Sequence, residues 1–299
     1  MDKRIKRVLV VYKKSAYQLH VRDRKDSHLV RLLRRGHPDA VDMRHAHEIH
    51  QQTLETVVQS LTALSVSFDL VYRANLKTSA PYDLVVSVGG DGTLLQASHV
   101  VDDLPVLGVN SDPRRSEAVF CAATKGNFVR VLRQALEGRP RELRLYRLRV
   151  KLNGRLVRPL VLNDVLIAHE DPATMSRYRL KIKGRKENHK SSGLWVATAA
   201  GSSSAILAAG GQRLIWTAKR FQYRPRELYQ GRLTRYRLTG GLLSMGDAVE
   251  VTWLMREGVA PIDGPHVQQP LRFGDRLVVE LSPHHPLRVL GIQDPRVVS

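Results

Sequence analysis

The sequence is poor in cysteine: Cys121 is the only one in 299 residues. That excludes an intramolecular disulfide framework and any zinc site built on several thiolates, and a reducing, cytoplasmic setting is expected. Aromatic residues are also few, at 6%, and they do not form the RNP pattern of an RNA-binding sheet; helix-turn-helix and zinc-finger spacings are missing as well. Long apolar runs are absent. The stretch from Val8 to Tyr12 is too short for a signal-peptide core and meets Lys13 and Lys14 at once, and nothing elsewhere approaches the length of a membrane span. Acidic residues are the last shortage: 28 Asp and Glu stand against 48 Lys and Arg, a formal net charge of +20. Such an excess attracts polyanions without specifying one. The basic residues are spread through Arg34-Arg35, Arg141 to Arg149, Lys181 to Lys190 and Arg220 to Arg237, with no single basic tail. A basic surface that draws anionic small molecules is expected, with neither a specific nucleic acid nor a membrane as partner.

What is present is alternation. Val8 to Tyr12, Phe68 to Tyr72, Asp83 to Val88 and Pro105 to Val109 read as short buried strands. Between them, Ala46 to Leu64 repeats Leu54, Val57, Val58 and Leu61 at helical spacing, and Thr93 to Val101 and Asn127 to Leu136 have helical composition. Strands alternating with helices predict a parallel sheet with ligands at the carboxyl ends of its strands. After Pro140 the texture changes. Arg144 to Leu152, Val161 to Ala168, Tyr178 to Ile182, Leu194 to Thr198, Ala248 to Leu254 and Arg276 to Leu281 are short β-like runs broken by Gly, Pro and Asn-Gly. The fold expected is an α/β N-terminal domain with a parallel sheet, residues 1–140, plus a mainly β C-terminal domain, residues 141–299, whose last residues pack back on the first. The active site is expected between the two domains.

Five segments carry chemistry. In Leu84 to Leu95 an apolar strand runs into Gly89, Gly90 and Gly92 around Asp91, and Thr93 follows into a helix. Glycines there let a phosphate or ribose approach the backbone, and the helix start offers free N–H groups to an anion. Asp91 could accept a proton from an attacking hydroxyl, orient a metal ion on phosphates, or simply cap a tight turn. Asn110 to Glu117 is a polar turn after the fourth strand, with arginines suited to phosphate. Asn163-Asp164 interrupts the apolar run Pro159 to Ile167, which requires either a ligand or a satisfied internal network. Ser191 to Ala205 leads a strand into a turn of small residues and hydroxyls, and Asp263-Gly264 forms a late turn.

In this order the segments resemble the NAD kinase family, part of a wider group of Gly-Gly-Asp-Gly kinases that includes diacylglycerol and sphingosine kinases and 6-phosphofructokinase. Asn110 to Glu117 is similar to the Asn-Thr-Asp-Pro-x-Arg-Ser-Glu stretch of the mitochondrial-type branch. The resemblance implies that Asp91 is the catalytic base toward the 2′-hydroxyl of the adenosine ribose. It places Gly89, Gly90, Gly92, Thr93, Asn110, Arg114 and Ser116 around the substrates, Asn163 on the base and Asp164 on the ribose hydroxyls. Thr198, Gly201, Ser202, Ser203 and Asp263 complete the binding set. NAD and ATP are the implied substrates, with Mg²⁺ carried by ATP and no metal ligands on the protein, in a homodimer or higher homo-oligomer. Ala199 and Ala205 depart from the family's proline and aromatic residue. The alternatives are a lipid kinase of the same group and a catalytically silent dinucleotide-binding protein. His45, His47 and His50 read as a solvated helix face, because their spacing supplies no plausible metal set. Neither Ser202 nor Ser203 sits in a Gly-x-Ser-x-Gly elbow, so a hydrolase is excluded.

Overall fold

The computed structural model describes residues 5–77, 81–232 and 235–294. The chain divides into two compact units: residues through Leu143 with Arg288–Gln293, and Arg144–Leu287 with Asp294.

The first unit is α/β. Strands β1 (Arg7–Tyr12), β2 (Ser67–Tyr72), β3 (Leu84–Gly89) and β4 (Pro105–Asn110) lie parallel in the order β2-β1-β3-β4, with the short β5 (Ala123–Thr124) beside β4. The sheet is completed by β6 (Glu142–Leu145) and a late strand over Leu287–Leu290, the latter parallel to β4. Val8 to Val11 and Leu84 to Gly89 are buried along their whole length, as continuous apolar strands covered on both faces must be. The helices are α1 (Ser27–Arg34), α2 (Pro38–Ala63), α3 (Asp91–Ser98) and α4 (Phe128–Leu136). Leu54, Val57 and Leu61 of α2 and Phe128 and Leu132 of α4 pack with Val8, Val10, Val86, Val88, Leu107 and Val109 in one core.

Helix α2 starts eight residues earlier than its apolar periodicity predicts, with Pro38 at its first turn and Asp39 complementing the helix dipole. Two of its three histidines overturn the expectation of a solvated face: His45 is exposed, but His47 and His50 are buried, at 3% and 1% exposure. They continue the Leu54, Val57, Leu61 stripe backward at helical spacing, so the core-facing side of the helix carries them inward.

The second unit is mainly antiparallel β. One sheet contains β7 (Leu148–Leu152), β8 (Arg155–Val161), β10 (Ser176–Ile182), β11 (Arg185–Ser191), β15 (Ala248–Trp253) and β18 (Arg276–Leu281). The other contains β9 (Asp164–Ile167), β12 (Leu194–Thr198), β13 (Arg220–Pro225), β14 (Gly241–Ser244), β16 (Gly258–Ile262) and β17 (Val267–Leu271). Both sheets send alternate residues into one core, including Val150, Tyr178, Val251 and Trp253 from the first and Val165, Val196, Phe221 and Ile262 from the second.

Two runs read as single strands are broken. Arg144 to Leu152 divides at Tyr146-Arg147, where the buried Arg147 donates Nε and Nη2 to the carbonyl of His285 at 2.9 and 2.6 Å while its own carbonyl accepts from Ser282. Val161 to Ala168 divides at Leu162-Asn163, and the cause is part of the site.

Candidate active site

The register of the first sheet aligns Tyr72, Tyr12, Val88 and Val109 side by side. The residues that follow them, Arg73, Lys13, Gly89 and Asn110, therefore form the carboxyl edge. Gly89 is obligatory for a packing reason: a Cβ there would collide with the Thr93 side chain, which folds back over it. Gly90 caps α3 and Asp91 is its first residue, so Asp91 is not the cap that a plain tight turn would require. The carboxylate accepts two backbone N–H bonds, Oδ2 from Val119 at 3.0 Å and Oδ1 from Phe120 at 2.9 Å. Burial raises its pKa above the usual aspartate range; those two bonds oppose the shift and the charge of Glu117 assists it. A half-buried carboxylate that is more basic than normal suits proton abstraction.

Asn110 shapes the next turn, accepting from Asp112 N at 3.0 Å and donating Nδ2 to Ser116 O at 2.8 Å. Ser116 Oγ then lies 3.2 Å from where a Cβ on Gly90 would stand. Of the two arginines, Arg115 is the engaged one, bonded to Asp112 at 3.0 Å and ion-paired with Asp42, whereas Arg114 is exposed. The hydroxyls of Ser87, Thr93 and Ser111 are buried without a hydrogen-bond partner among the described residues.

In the second unit Asp263 organises the site. Its carboxylate accepts the backbone N–H groups of Leu162 at 2.9 Å, Asn163 at 2.7 Å and Asp164 at 3.1 Å. This nest replaces the ladder and breaks the strand. Asp164 Oδ2 accepts from Asn163 Nδ2 at 3.1 Å and from Ser204 Oγ at 2.8 Å. Burial pushes the Asp164 carboxyl up to about 6; the charge of Asp263 adds to that shift and the Ser204 bond opposes it. Thr198 donates its hydroxyl to Leu162 O at 2.6 Å and accepts from Gly201 N at 2.9 Å. Gly201 is needed because a Cβ would overlap the Asn163 carbonyl. Ser202 is spent on Leu214 N at 2.8 Å, and the turn continues as a 3₁₀ segment, Ala200–Ser203, and a single α turn over Ala205–Ala208.

Gly89, Gly90, Asp91, Gly92, Thr93, Asn110 and Ser116 thus come together in one unit, and Asn163, Asp164, Thr198, Gly201 and Asp263 in the other. Arg114 and Ser203 make no contact with either group among the described hydrogen bonds. Sequence reasoning missed Lys13, Arg73 and Ser204. The first two were findable as the residues just past apolar strands, where a parallel sheet keeps its ligands. A cavity of about 640 Å³ lined by Met175, Leu254, Met255 and Phe273 includes none of the site residues. Among the described residues no helix is long and apolar enough to cross a membrane.

A glycine turn with one half-buried, basic carboxylate at the edge of a parallel sheet marks a phosphotransferase. Residues 7–138 match the model of the ATP-NAD kinase N-terminal domain. The chain is 37% identical over 262 residues to a probable NADH kinase of Oryza sativa, covering 80% of each chain. It is 34% identical to the NADH kinase of Arabidopsis thaliana, covering 80% of this chain and 82% of that one. Over 53% of this chain it is 30% identical to the human mitochondrial NAD kinase 2, covering 46% of that protein. The fold matches an Archaeoglobus fulgidus NAD kinase crystallised with ATP, with a TM-score of 0.66, 21% identity and coverage of 97% and 94%. Yeast NADH kinase in complex with NADH gives a TM-score of 0.69 at 17% identity, covering 99% of this chain and 86% of that one. The chain belongs to the NAD kinase family.

Proposed function

We propose that the protein phosphorylates the 2′-hydroxyl of the adenosine ribose of NAD with ATP, giving NADP and ADP. The observation that carries the mechanism is Asp91, a half-buried carboxylate of raised pKa that opens α3 in the glycine turn and accepts the backbone N–H groups of Val119 and Phe120. The hydroxyl oxygen attacks the γ-phosphorus, the bond from that phosphorus to the β–γ bridging oxygen breaks, and the hydroxyl proton passes to Asp91. Gly89, Gly90, Gly92 and Thr93 let the phosphates approach the start of α3, with Asn110 and Ser116 framing the turn. Asn163 and Asp164 hold the base and the ribose, on a backbone that Asp263, Thr198 and Gly201 fix.

Among the described residues no three His, Cys, Asp or Glu side chains are grouped to hold a metal ion, and both Asp91 oxygens already accept N–H bonds. This donor set does not fit a resident ion. In this reading Mg²⁺ arrives on the phosphates of ATP, and no step is routed through it. The plant relatives are named NADH kinases, and the reacting ribose carries no redox chemistry, so both NAD and NADH are taken as acceptors. A homodimer is the assembly proposed.

The test is a coupled assay of the purified chain with ATP, Mg²⁺ and either NAD or NADH. Formation of NADP or NADPH is expected, and ATP-dependent binding without product would leave a silent dinucleotide-binding protein instead.

A further inference from the structure

Two cations on the edge of the first sheet have no task in the mechanism above. Arg73 and Lys13 follow Tyr72 and Tyr12, which are in register with Val88, the residue before Gly89. The Arg73 guanidinium reaches the glycine turn: its Nη1 lies 3.8 Å from where a Cβ on Gly92 would stand. Lys13 is anchored to the same strand end. Its N–H donates to Val88 O at 3.4 Å, and its carbonyl accepts from Nε2 of the buried His50 at 2.8 Å. Burial pushes the His50 ring down to about 4, so it stays neutral and keeps this bond at ordinary pH.

Both cations are half-buried. Asp112, whose charge acts on Lys13, is already engaged by Arg115 at 3.0 Å. Neither Lys13 nor Arg73 forms an ion pair among the described residues. Burial, and then the charge of Arg73, lower the Lys13 pKa; burial also lowers that of Arg73. Two like charges held near each other away from water cost free energy, and an oligoanion between them reverses that cost.

We infer that Arg73 and Lys13 hold the phosphates of the donor nucleotide against the glycine turn, Arg73 through its planar fork and Lys13 as a point charge. The inference rests on the kinase reading, which makes that turn the phosphate site. It assigns the pair a positioning role and a share in offsetting the charge that builds on the departing diphosphate.

The experiment uses the full chain and the variants Arg73→Met, Arg73→Lys, Lys13→Met and Lys13→Arg. Affinities for MgATP and for inorganic triphosphate are measured by calorimetry at constant ionic strength, together with KM for ATP and for NAD. Each Met variant is expected to bind MgATP and triphosphate about tenfold or more weakly, with KM for NAD changed less than about threefold. Lys13→Arg should keep most of the affinity, and Arg73→Lys should recover only part, because it lacks the fork. Wild-type affinity for both anions in both Met variants would overturn the inference. Equal losses for ATP and NAD with a lowered melting temperature, unrelieved in the conservative variants, would also overturn it by showing a structural role. If the wild type binds both anions through these residues yet forms no NADP, the kinase reading alone fails. If it forms NADP while the Met variants bind ATP normally, this inference alone fails.

Discussion

The carboxylate of Asp263 accepts the backbone N–H of Asn163 at 2.7 Å across a separation of 100 residues. With its bonds to Leu162 and Asp164 it fixes the backbone that presents Asn163 and Asp164. Asp263→Ala should lower stability by about 1.5–3 kcal/mol or more, since charge-assisted bonds are lost and buried N–H groups are orphaned. It should also weaken NAD binding. Chemical denaturation and calorimetry check both, and a variant of wild-type stability would show that the nest is dispensable.

Asp91→Asn should reduce turnover by roughly 10²-fold or more, as removal of a general base does. ATP and NAD affinities should be nearly retained. Because Asn keeps only one acceptor for the two N–H groups of Val119 and Phe120, a modest loss of stability, about 1–3 kcal/mol, should accompany it. Steady-state kinetics at saturating substrates decide the matter, and near-normal turnover removes Asp91 from the role of base.

Asp164 should make NAD affinity depend on pH. In the proposed reading it is the ionised carboxylate that would accept from the ribose hydroxyls, so affinity should rise as pH increases through about 6. Stability moves the other way: the folded-state pKa lies above the unfolded value, so the contribution of this group is fully present below the unfolded pKa and is lost as pH rises through about 6. Asp164→Asn should therefore bind NAD more weakly by roughly 1–3 kcal/mol and lose the pH dependence, without melting lower at pH 8. Affinity and melting curves measured from pH 5 to 8 test this; lowered stability with unchanged affinity would make the residue structural.

Gly201→Ala should cost about 1–3 kcal/mol, because the added methyl overlaps the Asn163 carbonyl and the turn must shift. NAD affinity should fall with it while ATP affinity is kept. Separate titrations with the two ligands distinguish this from a general folding defect.

The excess of positive charge shows on the outward face of β10 and its neighbours, where Arg177, Arg179 and Lys181 alternate with buried Tyr178 and Leu180, and Lys186 and Arg276 lie close by. Duplex DNA should bind this face weakly, without sequence preference, and be released steeply as salt rises. Arg179→Glu with Lys186→Glu should flatten the salt slope by roughly two and leave turnover unaffected. Fluorescence anisotropy on several unrelated duplexes provides the measurement. A preference worth about 1–3 kcal/mol per base pair at fixed salt, in a chain that makes no NADP, would overturn the kinase reading.

Much of the fold was legible because its signals are local. Val8 to Val11 and Leu84 to Val88 are continuous apolar runs that suit only strands covered on both faces, and Gly89 to Gly92 between a strand and a helix reads as a phosphate turn from neighbours in the chain alone. Leu194 to Thr198 and Arg276 to Leu281 are strands with the expected bounds. By contrast, Arg185–Ser191 is polar throughout and carries no apolar alternation, and it is pairing with β10 that makes it a strand; Arg220–Pro225, paired with β12, does alternate through Phe221 and Tyr223, a signal the sequence held but its basic setting obscured.

The sequence by itself determined the α/β and β textures, the glycine turn with its lone aspartate, and the Asn163-Asp164 pair, since each depends on residues a few positions apart. Tertiary structure alone decided what those residues do. The strand breaks at Leu162-Asn163 because Asp263 takes the backbone N–H groups there. His47 and His50 are buried because the inward side of α2 carries them to Ser15 and to the carbonyl of Lys13. Asp91 and Asp164 become more basic than free aspartate because burial removes water from them. Burial, and partners tens of residues distant, are sums over the whole packed chain, and no local pattern encodes them.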